Sequence, residues 1–311
     1  MANVGAGTVW NLPNYLGELF TASRLQTPVL TMSGGMNGAG VTSNFEFPVD
    51  QTFAHEAASQ PSITETASLT APTAISYVRA QDKNVCQIHQ EQVSISYAKM
   101  SNSGRISGIA TSGQALQPIN EKDFQIARAL EKIARDVEYS FIQGAYQIAT
   151  SAGVANTTRG LNAAASSTVA ASAATLSKSL LDSLLVEMYN NGAIFQNAVF
   201  VVNAFQKQQL SKIYGYAPTD RNVGGLDIKT VETDFGTLGV VLDPFQSTSV
   251  VTVAEMSVVR PVTLPVPGKG NMFYEELSKT GASESGQVYG QIGLDHGPGF
   301  YHGTITGLAT S

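Results

Sequence analysis

The pattern of hydrophobic and polar positions changes period several times along the chain, and each change marks an element. Residues 120–148 carry the strongest helical signal. Ile126, Leu130, Ile133, Val137 and Phe141 recur at spacings of four, three, four and four, one apolar stripe on a 3.6-residue period. Asn120, following Pro118, supplies a cap for the first turn. At 1.5 Å per residue such a helix spans about 40 Å. On its polar face Glu131 with Arg135, and Lys132 with Asp136, stand four apart with opposite charge, the spacing of helical ion pairs.

A second helix is predicted over about 176–190, with Leu180, Leu181, Leu184, Leu185 and Met188 on its apolar side and Gly192 just past its end, where a helix stop belongs. AVFVVNAF (198–205) begins as a short, fully apolar strand, and QKQQLSKIYGY after it reads as a third helix. From 226 onwards LDIKTVETDFG, LGVVLDP, SVVTVAEMSVVRPVTLPV and QVYGQIGLDHGPGFYHGTITGL are mostly β.

The first hundred residues behave differently. In NLPNYLGELF (11–20) Leu12, Tyr15, Leu16, Leu19 and Phe20 repeat at three and four, a short amphipathic helix on an otherwise extended arm, which needs a surface to cover its apolar face. TPVL and the glycine cluster GGMNGAG (34–40) follow as a flexible or sharply turned connection. Residues 43–101 read as a long β excursion, in which Val93, Ile95 and Tyr97 alternate with Ser94 and Ser96. Between FEFPVDQTF and NVCQIHQEQVSISY lies HEAASQPSITETASLTAPTA (55–74), mostly Ala, Ser and Thr with no Lys or Arg. Residues 149–175 (ATSAGVANTTRGLNAAASSTVAASAAT) form a second low-complexity stretch, read as a loop.

Composition alters this picture in one respect. Charged residues are 14% of the 311, against roughly 25% in soluble domains. A surface so poor in charge is one that neighbouring copies cover. The net charge of -6 argues against a main task of gripping nucleic acid, which needs a basic face. Residues 1–82 hold six acids (Glu18, Glu46, Asp50, Glu56, Glu65, Asp82) and two bases (Arg24, Arg79), with no lysine. The single cysteine, Cys86, allows no intrachain disulfide and is compatible with a reducing cytoplasm. There is neither a signal-peptide pattern nor an apolar run near the roughly 18 residues of a membrane span.

Candidate chemistry is sparse. GGMNGAG lacks the GK[ST] ending of a phosphate loop, and GASES (281–285) has Ser285 where a nucleophile elbow needs glycine. His89 and Glu91 share a strand face, but no third metal ligand is placed by spacing. Asp295, His296 and His302 cluster among glycines. They support a rival reading, a hydrolase or lyase using these three residues with the long β excursion as an oligomerisation arm. No cofactor or metal is implied.

Taken in order, NLPNYLGELF, TPVL with the glycine cluster, NVCQIHQEQVSISY, EKDFQIARALEKIARDVEYSFIQGAY and TTRGL resemble the major capsid proteins of tailed bacteriophages. More narrowly they are similar to the subfamily whose chains open with an N-P-N-Y-x-G-E-L-F-like arm. The resemblance implies an α+β capsid fold: an N-terminal arm (1–44), an extended β-hairpin loop (45–100), a peripheral domain (101–175) with a spine helix (120–148), an axial domain (176–255), and C-terminal strands (256–311) returning to the peripheral domain. Residues 55–74 then become the loop tip, lying over an adjacent subunit.

Inter-subunit contacts are expected at Leu16, Leu19 and Phe20 of the arm, Ile63 and Leu69 of the tip, and Glu131 and Arg135 of the helix. The function implied is a non-enzymatic shell protein assembling as pentamers and hexamers around double-stranded DNA, in a virion built in the host cytoplasm. Its partners would be a portal, an optional decoration protein, and packaged DNA touched weakly on the inner face. The chain opens on Met1 without a long charged helical prefix, so a separate scaffolding protein is expected. A tail or neck protein is the other structural alternative, but a long helix after a β excursion fits a shell better. Some capsid relatives join subunits by an isopeptide bond from a loop-tip lysine. Here the first lysine is Lys83, so non-covalent particles are expected.

Overall fold

The computed structural model describes residues 26–36, 40–101, 121–214, 229–279 and 281–310. Pro28 opens a short helix, α1 (Pro28–Met32), whose Val29 and Leu30 are buried. Gly34 and Gly35 follow at φ +112 and +80, left-handed backbone that glycine adopts without strain. The chain therefore turns sharply at the glycine cluster. After β1 (Gly40–Val41) comes a hairpin of β2 (Glu46–Phe53) and β3 (Arg79–Val85), whose long connection holds only the four-residue α2 (Glu65–Ser68).

Next, β4 (Gln87–Ser96) leaves the hairpin for a larger sheet. Val93 and Ile95 are buried as the alternation predicts. Tyr97 does not continue that face. The strand ladder ends at Ser96, and Tyr97 instead starts α3 (Tyr97–Ser101) and is exposed.

The long helix is α4 (Glu121–Gln143), with Ile133, Val137 and Phe141 buried and Ile126 and Leu130 packed at the margin of the same core. It stops five residues short of the predicted end at 148. The cause is a backbone contact that only glycine permits. Gly160 donates its N–H to the Gly144 carbonyl at 2.8 Å, and a Cβ on Gly144 would lie 2.3 Å from the Thr158 carbonyl oxygen. The chain doubles back through the bridge Gln147↔Thr157 to make this contact.

The predicted Glu131–Arg135 pair is also absent. Glu131 pairs with Arg128 at 2.7 Å, Lys132 reaches across to Glu91 on β4, and the Arg135 guanidinium stands 5.9 Å over the Phe245 ring. The helix lies against a sheet and a loop, which draw Lys132 and Arg135 to partners there, while Glu131 pairs three residues back on its own helix.

Residues 149–175 are not merely a loop. They contain α5 (Leu161–Ala164) and β5 (Ser167–Ala170). Small side chains concealed a strand whose stabilisation comes from its neighbours. Ser167 is fully buried and takes a hydrogen bond from Asn191 Nδ2 at 3.0 Å.

The remaining elements are α6 (Lys178–Asn190), β6 (Ala198–Val202), α7 (Ala204–Tyr214), β7 (Thr230–Thr233) and β8 (Gly236–Leu242). The chain closes with β9 (Val251–Glu255), β10 (Arg260–Thr263), β11 (Met272–Glu276), β12 (Ser283–Asp295) and β13 (Gly303–Thr306).

One sheet runs β1-β10-β12-β11, with β4 also paired to the 13-residue β12. A six-stranded sheet runs β5-β13-β9-β6-β8-β7. Its β6 is buried along its whole length because it faces two cores. Val199 and Val201 join the core under α4, while Ala198, Phe200 and Val202 pack with Leu181, Leu184, Leu185 and Met188 of α6. The C-terminal strands divide between the two sheets, β10, β11 and β12 lying in the first. After Gly297 (φ +67) turns the chain, β13 joins the six-stranded sheet and Ile305 enters the second core.

Candidate assembly surfaces

The hairpin β2–β3 has a root built into the subunit and a tip that is exposed throughout. At the root, Asn84 is fully buried. Its Oδ1 accepts the backbone N–H groups of Val85 (2.9 Å) and Arg159 (2.7 Å), and its Nδ2 donates to the carbonyls of Leu294 (2.6 Å) and Arg159 (3.1 Å). That satisfies both of its donors and doubly uses its acceptor. The Thr158 hydroxyl accepts the Leu294 N–H at 3.1 Å. Arg159 extends its guanidinium to Asp82 and over the Tyr146 ring, while the Tyr146 hydroxyl donates to Glu46, which also pairs with Lys83. Phe47, Cys86 and Val262 form a small core of their own beneath these contacts. Burial pushes the Cys86 thiol up to about 12. The TTRGL segment (157–161) is thus the clamp that seats the hairpin.

The tip is the reverse. Every residue from Phe53 to Gln81 is exposed, among them Phe53, Ile63, Leu69, Ile75, Tyr77 and Val78, with Leu69 at 84% and Ile63 at 72%. Thr64 caps α2 by accepting the Ala67 N–H at 3.2 Å. The His55 ring lies edge-on to those of Phe53 and Tyr77, with centroids 5.0 and 4.9 Å away, which pins the neck of the loop. Each large apolar side chain here would contribute roughly 1.5–3 kcal/mol on full burial. Large apolar side chains exposed in this number make the tip a candidate interaction surface.

The structure thus places Ile63 and Leu69 on the tip and Glu131 and Arg135 on the flank of α4. Leu16, Leu19 and Phe20 lie outside the described residues. Asn84, Thr158 and Arg159 were not singled out by sequence reasoning. Their one signal was TTRGL as part of a resemblance.

The candidate catalytic cluster is a set of structural hydrogen bonds. Asp295 Oδ2 accepts from Arg260 Nε at 2.7 Å and Oδ1 from the Gly297 N–H at 3.2 Å. The fully buried His302 accepts the Glu255 N–H on Nδ1 (3.3 Å), so its Nε2 carries the hydrogen and donates to the His296 carbonyl (2.5 Å). His296 Nδ1 is 2.7 Å from the Gly297 carbonyl. Burial lowers both imidazoles, His302 to about 4. These rings fix a turn and present no open face to a substrate.

His89 is likewise buried, pushed down to about 4 by desolvation, and Glu91 is committed to Lys132. Among the described residues no group of His, Cys, Asp or Glu could hold a metal ion, and no helix is long and apolar enough to cross a membrane. Ser285 sits within β12 and bonds Ser94, so GASES forms no strand-to-helix elbow.

A family model described as "SU10 major capsid protein" matches residues 2–309. No curated protein matches the chain by sequence. The fold is similar to the capsid of Cyanophage A-1(L), with a TM-score of 0.64 at 13% identity over 94% of this chain and 96% of that one. It is similar to the capsid of a native GTA particle, with a TM-score of 0.60 at 12% identity over 98% of each chain. An SrpI encapsulin from Synechococcus elongatus PCC 7942 shares it at a TM-score of 0.56 and 11% identity, over 95% of this chain and 94% of that one.

Proposed function

Because the chain belongs to the SU10 major capsid protein family, a structural and not an enzymatic family, and so forms a bacteriophage capsid shell, we propose that it does so as pentamers and hexamers closing into an icosahedral container for double-stranded DNA. The observation that carries this reading is the contrast within the hairpin β2–β3, a fixed root and an apolar tip without a partner in its own subunit. In the assembled shell the tip lies on an adjacent copy, with Ile63 and Leu69 buried there. The arm contributes Leu16, Leu19 and Phe20 in the same way, and the flank of α4 with Glu131 and Arg135 faces a neighbour.

Residues 101–175 with α4 form the peripheral part, and the body around α6 and β6 the axial part near the capsomer centre. Assembly proceeds in the host cytoplasm with a portal and a separate scaffolding protein, and a decoration protein is an optional addition. The acidic balance of the chain supports containment of DNA with only weak contact at the inner face. The Ala/Ser/Thr tip has no lysine, and Lys83 at the root is paired with Glu46, which supports a shell held by non-covalent contacts.

Negative-stain microscopy of the expressed protein tests the reading: shells, tubes or ring-shaped capsomers are expected, and small discrete oligomers at all concentrations contradict it. Particles boiled in SDS with reductant should give one band near 32.8 kDa; a ladder of multimers contradicts the non-covalent shell.

A further inference from the structure

Two carboxyl groups meet in the interior where three parts of the chain converge, away from the assembly surfaces described above. Glu138, on the inner face of α4, is fully buried. Its two oxygens accept the backbone N–H groups of Val29 (2.7 Å) and Leu30 (2.6 Å), donors in the first turn of α1 that have no partner within the helix. Asp243, directly after β8, is also fully buried, and its carboxyl lies against that of Glu138. Its Oδ1 accepts the Phe245 N–H at 2.7 Å, and its own N–H donates to the Val202 carbonyl at 2.9 Å. Among the described residues no donor reaches Asp243 Oδ2. Two acceptors can face each other in a dry site only if a proton lies between them.

The surroundings offer little to neutralise a second charge. α1 and β6 carry no ionisable side chain, nor does the 244–250 loop. On α4, Lys132 is committed to Glu91, and Arg135, one turn before Glu138, holds its guanidinium over Phe245 and bears on Asp136. On β9, Glu255 is occupied by the N–H groups of Gln196, Asn197 and Ser257. Burial first, and then the Asp243 carboxyl, push Glu138 up to about 9; burial also raises Asp243.

We propose that Glu138 and Asp243 share one proton and form a latch that holds the 27–36 segment of the arm onto α4 and the loop after β8, and that loss of the proton releases that segment. With two negative charges in the contact, the cheapest relief is for α1, the only one of the three parts without its own ladder or long helix, to leave. The left-handed Gly34 and Gly35 just after it, where a Cβ would meet nothing within 4 Å, provide the hinge. The sign follows from the raised Glu138. The closed segment keeps a proton that the released one loses near 4.5, so the latch is strongest below about 4.5, weakens as pH rises from there to about 9, and loses nothing further above it. The latch does not depend on the shell reading.

Pulsed hydrogen exchange of peptides spanning 27–36 in the full-length protein, corrected for intrinsic pH dependence, tests it together with Asp243→Asn. The asparagine keeps an oxygen for the Phe245 N–H and supplies an N–H in place of the shared proton. Wild-type protection of this segment should fall by up to about tenfold per pH unit between about 4.5 and about 9 and level off above that, as release of one proton on opening requires, while peptides of α4 and β12 hold theirs. Asp243→Asn should keep its protection over the same range. Protection that is pH-independent in the wild type, or is lost in parallel in the variant, overturns the latch. Should Asp243→Asn fail to fold, infrared difference spectra of the wild type decide: a protonated-carboxyl band that persists at neutral pH and disappears with the loss of protection supports it, and no such band overturns it.

Discussion

At the root of the hairpin Asn84 makes all its hydrogen bonds inside the subunit, while fifteen residues earlier Leu69 stands 84% exposed. The two regions belong to one β-ribbon and differ in where their free energy is realised. The root removes a buried polar side chain from water and satisfies it completely, so its contribution is present in the isolated chain. The tip leaves large apolar side chains in water, and on the proposed reading their transfer free energy is realised against a second copy. The subunit's fold and the shell's assembly are therefore separable within a few tens of residues, and variants should fall on one side or the other.

The interior against which the root is seated gives the largest effect. Ile133→Asp puts an unpaired carboxylate in the middle of the α4 core, where Ile133 is 2% exposed. That costs several kcal/mol, and soluble folded subunit should be lost. Recovery of normal yield would contradict the helix orientation.

Asn84→Ala is the next step down and strikes the root itself. It leaves the Val85 and Arg159 N–H groups and the Leu294 carbonyl buried without that partner. A loss of about 3 kcal/mol is expected, read as a lower denaturant midpoint. A shift under about 0.5 kcal/mol, the range of an ordinary surface substitution, would show that the root is not the anchor.

The smallest effect on stability belongs to the tip. Ile63→Ser with Leu69→Ser should change unfolding by no more than about 0.5 kcal/mol and still reduce particle yield sharply. A destabilised subunit would mean that the tip packs on its own chain.

Some of this contrast is legible in the residues alone. The uncharged run at 55–74 reads as a segment without a core, and the spacing from Ile126 to Phe141 reads as a buried helical stripe, since both are local patterns. The root is not local. Asn84 binds residues 75 and 210 positions away in sequence, and nothing in RAQDKNV marks one asparagine as buried. Gly144 and Gly160 end α4 through a contact that neither position reveals by itself. The strand at 167–170 is hidden for a related reason, because Ala, Ser and Thr carry no alternation strong enough to show it and its ladder partner lies at 303–306. Asp295, His296 and His302 misdirect in the opposite sense. Polar residues close in sequence suggest chemistry, and the structure commits their polar atoms chiefly to backbone hydrogen bonds and one ion pair. Glu138 looks like one more acid on a charged helix face until α1 is laid across it.

The division between root and tip is tested most directly by deleting residues 55–74, closing the gap with a short Gly/Ser turn, and measuring thermal unfolding and particle formation on the same preparation. An unfolding transition that matches the full chain, together with few or no closed particles by electron microscopy, is the predicted result. Subunits that no longer fold, or shells that form in normal yield, would contradict it.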